Sequence, residues 1–139
     1  MIDILVEGCV TTSEEAALVS DVGGHRVELC RDLDTGGLTP EADLVRAVRG
    51  RTDLPVMAMV RPRPGHFCVN PDEVATMLWE IENLVELGVE GIVLGVLDES
   101  GEIDSVALQE LVSAAPVPVT FHRAFDEVPD PLGALEALR

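Results

Sequence analysis

Apolar residues along the chain gather in short runs, separated by longer stretches in which they recur at helical spacing. The runs at residues 2–9, 26–30, 55–61, 91–96 and 117–122 are rich in Val, Ile and Leu and bounded by Gly or Pro. Strands buried beneath helices have this character. The stretches between them carry legible helix starts. Thr12 followed by Glu15 fits a capping box, and Asp104 is placed to cap the fourth helix. Thr39-Pro40, Asn70-Pro71 and Asp130-Pro131 each set a capping oxygen directly before a proline at the first helical position. The clearest helix carries Val74, Met77, Leu78, Ile81, Leu84 and Val85 on one face and stops at Gly88, following the i, i+3, i+4, i+7 rule. Gly23-Gly24 and Gly50 are placed to end the first two helices in the same way. The pattern predicts five βα units of about 28 residues each, a parallel α/β architecture in a single domain spanning 1–139.

Five such units either complete a doubly wound sheet of the flavodoxin type or supply part of a (β/α)8 barrel, whose eight repeats approach roughly 250 residues. Side-chain alternation favours the barrel. In the first strand Leu5, Glu7 and Cys9 share one face, and in the second Arg26, Glu28 and Cys30 share one. Both strands thus set a Glu two residues before a Cys at the carboxyl end. The third strand places Met57, Met59 and Arg61 on one face. The fifth ends in Thr120 and His122, with Arg123 and Asp126 just beyond. The fourth, ending in Leu94-Gly95-Val96, is bare. A doubly wound sheet gathers its site at one switch point, whereas a barrel draws on the ends of many strands.

Charge narrows the range of partners. Nine basic residues, all Arg, stand against 26 acidic ones, for a formal net charge of -17. Such a chain lacks the clustered basic surface that nucleic acid or an anionic membrane requires. With 47% of its residues apolar it is not a disordered polyanion, and its apolar runs are too short to span a bilayer. The first residues carry an acid where a signal peptide carries bases. Three Cys, without metal-finger spacing, are expected as reduced thiols in a cytoplasmic protein.

Seven segments together resemble the CutC copper homeostasis family. They are Val6-Glu7-Gly8-Cys9-Val10, Val27-Glu28-Leu29-Cys30, Gly36-Gly37-Leu38-Thr39-Pro40, Met59-Val60-Arg61-Pro62-Arg63, His66-Phe67-Cys68, Gly95-Val96-Leu97 and Thr120-Phe121-His122-Arg123-Ala124-Phe125-Asp126. They follow that family's order and span nearly the whole chain. The resemblance implies a TIM-type barrel, a cytoplasmic protein and a role in copper handling. Two departures stand out. Gly8 replaces the middle residue of the family's E-V-C motif, and members of the family continue through three further βα units. The chain therefore reads as a (β/α)8 barrel truncated to about five units. Open strand edges and an exposed apolar interior would favour a homo-oligomer.

Each candidate residue has a functional and a structural reading. Cys9 and Cys30 end adjacent strands, and as thiolates they are soft donors suited to Cu(I); as thiols they are small apolar side chains. Cys68, in the loop after the third strand, is a candidate third ligand. Glu7 and Glu28 either work as acid/base groups, each raising the other's proton affinity, or form structural ion pairs with Arg61 or Arg123. His122 reads as a general base, a metal ligand or a core histidine, and Asp126 as a catalytic candidate beside it. Arg61 and Arg123 are the candidate holders of a small anionic ligand. Gly36-Gly37 precedes a helix but matches neither a Walker loop nor a dinucleotide fingerprint, so a loop-and-cap role is expected. Two functions follow: Cu(I) binding, with Cys9, Cys30 and Cys68 as ligands, or a barrel enzyme acting on a small anionic metabolite through a Glu/His/Arg pocket.

Overall fold

The computed structural model describes residues 4–139. Five strands, β1 (Glu7–Val10), β2 (Arg26–Leu29), β3 (Val56–Met59), β4 (Gly91–Leu94) and β5 (Val119–Phe121), form one sheet in the order β1-β2-β3-β4-β5. Every pairing is parallel, with Glu7 opposite Arg26, Cys9 opposite Glu28, Met59 opposite Val93 and Leu94 opposite Phe121. Helices α1 (Ser13–Asp21), α2 (Ala42–Arg49), α3 (Pro71–Glu86) and α4 (Ser105–Ala114) follow β1 to β4. After β5 comes a 3-10 turn, Arg123–Glu127, and then α5 (Pro131–Ala137). Sequential parallel order, rather than 2-1-3-4-5, makes this a sector of a (β/α) barrel.

The two faces of the sheet have different packing. Val10, Val27, Leu29, Val56, Ala58, Val60, Ile92, Leu94 and Val96 point outward and pack on Ala16, Val45, Val48, Met77, Ile81, Leu84, Ala107 and Leu111 of α1 to α4. All four helices therefore cover the same face. On the other face a smaller cluster, Cys30, Met59 and Val93 with Met57 against it, fills the concave interior. The doubling of apolar faces is why these strands read as near-continuous hydrophobic runs.

Local chemistry explains the helix starts. Thr12 and Asn70 each accept the backbone N–H three residues on, and Glu15 and Glu73 return the bond to the cap, so both capping boxes form. Asp104 caps α4 through the Ala107 N–H. Thr39 does not cap α2, which begins at Ala42 behind Glu41. Its hydroxyl is committed elsewhere: it accepts the Arg61 N–H at 2.9 Å and donates to Glu80 at 2.8 Å. Asp130 precedes Pro131 at the start of α5 but makes no side-chain cap bond. Gly50 follows α2 in right-handed helical conformation, so it does not terminate α2 through a left-handed turn. The strands are shorter than their apolar runs, and β1 begins at Glu7; residues 2 and 3 of its run lie outside the described residues.

Gly8 faces α1. A Cβ on it would overlap the Val19 side chain, so the glycine lets α1 lie close against β1. Gly8→Ala is expected to destabilise the fold by about 1–3 kcal/mol, the usual cost of overpacking. Val19→Ala in that background should recover part of the loss, as urea denaturation of the two variants would show. Equal losses in the single and double variants would count against the contact.

Candidate functional site

The carboxyl ends of the strands carry two groups of polar residues, separated by one loop. The first group lies on β1 and β2. Glu7 is paired with Arg26 directly across the ladder, so the partner expected from Arg61 or Arg123 is instead a strand neighbour. Arg26 was visible on the same face as Glu28 and Cys30, but a β2 arginine opposite Glu7 is fixed only by the register. Glu28 is half-buried beside this pair. Burial and the Glu7 charge raise its pKa, and Arg26 lowers it in part. Cys9 is exposed and Cys30 is buried, and the two thiols interact across the gap between the strand ends. Burial, then the neighbouring Cys9, pushes the Cys30 thiol up to about 12. Burial and the Glu28 charge raise that of Cys9. Both thiols are protonated at neutral pH.

Cys68 does not join them. It sits between the ends of β3 and β4, bridged to Leu97, and its carbonyl accepts Arg63 Nη2 at 2.7 Å. Arg63 in turn is paired with Glu73 of the α3 capping box. Among the described residues no three His, Cys, Asp or Glu side chains come together as a metal cluster.

The second group surrounds one ring. Phe67 is buried, and the guanidinium carbons of Arg61 and Arg123 each lie 5.0 Å from its centroid. The His122 imidazole lies at the same distance, tilted by 53°. Such contacts hold cations against an aromatic face without neutralising them. His122 Nδ1 accepts the Ala124 N–H at 3.1 Å, so the neutral ring carries its proton on Nε2. Gly95, bare in the sequence, makes the space for this ring: a Cβ there would stand 2.5 Å from His122 Nδ1. Asp126 lies exposed in the 3-10 turn beyond β5.

The Gly36-Gly37 loop divides the two groups and touches both. Both glycines have positive φ, 96° and 88°, a region L side chains rarely enter. A Cβ on Gly36 would overlap the Arg123 guanidinium and lie 3.2 Å from Arg61 Nη1, and one on Gly37 would lie 3.2 Å from Cys30 Sγ. The loop presents carbonyls to Arg61, whose Nη1 donates to Thr35 O at 3.0 Å and Gly37 O at 3.2 Å. It is a structural loop, as its sequence suggested.

A parallel sheet with helices on one side and polar groups at the carboxyl ends defines a protein of the TIM-barrel type. The chain belongs to the CutC family, whose model matches residues 4–139. A structure from Streptococcus agalactiae carrying the name of the copper homeostasis protein CutC is 32% identical, with a TM-score of 0.89, over 98% of this chain and 68% of that one. Dihydrodipicolinate synthase DapA-2 from Bacillus anthracis (15% identity, TM-score 0.64) is covered over 48% of its length by 91% of this chain. KD(P)GA from T. tenax (17%, 0.64) is covered over 51% by 96% of this chain. These last two share the fold alone. The chain thus spans about two thirds of the streptococcal protein and about half of the other two. Among the described residues no helix is long and apolar enough to cross a membrane.

Burial, followed by the charges of Arg61 and Arg123, lowers the His122 pKa from 6.5 to about 4. The unfolded chain therefore takes up this proton near pH 6.5, while the folded chain refuses it until about pH 4. The contribution is fully present above 6.5 and is lost as pH falls through 4, a change of up to about 3 kcal/mol. Urea denaturation of the parent and of His122→Phe between these pH values should show the steeper loss in the parent. Identical slopes would count against a buried neutral His122.

Proposed function

We propose that this chain handles copper by taking Cu(I) on the Cys9–Cys30 thiol pair at the barrel mouth. One observation carries the reading: the two strand ends bring an exposed and a buried thiol into interaction. Cu(I) is soft and accepts two-coordinate thiolate ligation, so a pair suffices where a harder ion would need more donors. The donor set fits that ion, and Cys68 plays no part in the first coordination. Membership of the CutC family supports the copper role, and reduced thiols suit a reducing, cytoplasmic location.

Burial of the thiols sets the pH response. Both thiols are held protonated, chiefly by burial, with Glu28 and Glu7 adding to the effect on Cys9. Binding must therefore release protons, up to about two for each Cu(I). Affinity should fall as pH falls, measured by competition with a Cu(I) chelator under reducing, oxygen-free conditions. In the same assay Cys9→Ser with Cys30→Ser should abolish tight binding, Cys68→Ser should leave it near the parent value, and Mg2+ should not compete. A double Ser protein that still binds Cu(I) as tightly as the parent overturns the assignment.

A further inference from the structure

The nine arginines of this acidic chain are not equivalent. Among the described residues seven of them form ion pairs with Asp or Glu. Arg61 and Arg123 do not, although 26 acidic residues are available. These two stand together, on the same Phe67 ring and at the same glycine. Arg61 is only 6% exposed. Its Nη atoms donate to the carbonyls of Thr35, Gly37 and Gly65, but its Nε–H is buried without an acceptor. His122 Nε2, the proton-bearing nitrogen of the third group on that ring, is likewise buried without an acceptor. Glu127 influences the Arg61 charge but forms no ion pair with it.

Buried donors are rarely left unmatched, since each costs the free energy of a lost hydrogen bond. Here the two unmatched buried groups, Arg61 Nε–H and His122 Nε2–H, are both donors, and the charges of Arg61 and exposed Arg123 repel each other. A ligand that relieves the site must bring acceptor oxygens and negative charge. Two fixed positive charges beside a neutral N–H donor match a dianion with three oxygens better than a carboxylate with one charge and two. We propose that Arg61, Arg123 and His122 form a binding site for the phosphoryl group of a small phosphorylated molecule. Arg123, exposed, offers its guanidinium to the ligand, while Arg61 and His122 supply the buried donors. The site is distinct from the thiol pair and does not depend on copper binding.

The test uses the whole chain and inorganic phosphate at pH 7.5 and low ionic strength. Titration followed by 1H–15N spectra of the arginine Nε–H and histidine side chains should give a saturable shift of the Arg61 Nε–H and His122 signals. Chloride at matched ionic strength should leave them in place. Arg123→Met, a change at an exposed position, should weaken phosphate binding by about tenfold or more. Arg61→Met removes the charge but also three loop anchors, so Arg123→Met is the deciding variant. Cys9→Ser with Cys30→Ser should bind phosphate like the parent, which separates this site from the copper reading. Signals that respond equally to phosphate and chloride, an Arg123→Met protein with parental affinity, or saturation by malonate but not by phosphate would each overturn the proposal.

Discussion

The guanidinium of Arg61 holds the carboxyl end of the sheet together. Its Nη groups bond to Thr35 and Gly37 in the loop after β2 and to Gly65 in the loop after β3. Its own backbone is clamped by Thr39, which accepts the Arg61 N–H through its hydroxyl and donates its N–H to the Arg61 carbonyl at 3.1 Å. A buried cation is expensive unless its donors are matched, and here the matching is done almost wholly by backbone carbonyls. The charge itself is left uncancelled. That one choice gives the loops their shape and makes the β3–β5 side of the mouth electropositive within a strongly acidic protein.

The same choice partitions the mouth chemically. On the β1–β2 side burial holds two thiols protonated, with the Glu28 charge adding to it, and Arg26 neutralises Glu7 across the ladder. On the other side burial, reinforced by two guanidiniums, holds an imidazole neutral. The diglycine loop lies between, in contact with Cys30 through Gly37 and with both arginines through Gly36. Opposite fields on the two sides depend on this separation, because a Glu placed beside Arg61 would cancel both. A soft, neutral thiol pair and a cationic donor cluster thus share one rim without sharing residues.

Close approach is the recurring device by which the fold makes room for these groups. Gly8 lets α1 rest on β1, Gly95 gives His122 its place, and the concave side of β4 is kept low at Gly91, where a Cβ would overlap the Met57 sulfur. Glycine on a strand weakens it, and the cost is met by neighbours that fill the space: Val19, the imidazole and the Met57 thioether. The E-V-C motif expected at β1 is altered to Glu7-Gly8-Cys9 on the outward face only, so the inward Glu and Cys are untouched by the change.

Much of this is legible in the sequence. Hydrophobic runs, two capping boxes, Asp104 and Gly88 marked most elements, because caps and periodicity are local properties of the chain. The period-2 alternation put Cys9, Glu28, Cys30, Met57 and Met59 on one face, and the scatter of polar strand ends separated a barrel from a doubly wound sheet. Other features depended on residues far apart in sequence. The pairing of Glu7 with Arg26 follows from strand register. The withdrawal of Thr39 from capping follows from the demands of Arg61 and Glu80. Phe67 was visible only as part of a motif, and nothing in its spacing announced it as the platform for three polar groups. The chain by itself determined which side chains face inward, since that depends only on backbone alternation. Which of them meet was decided by tertiary structure, because loop closure and strand stagger set distances that sequence separation does not encode.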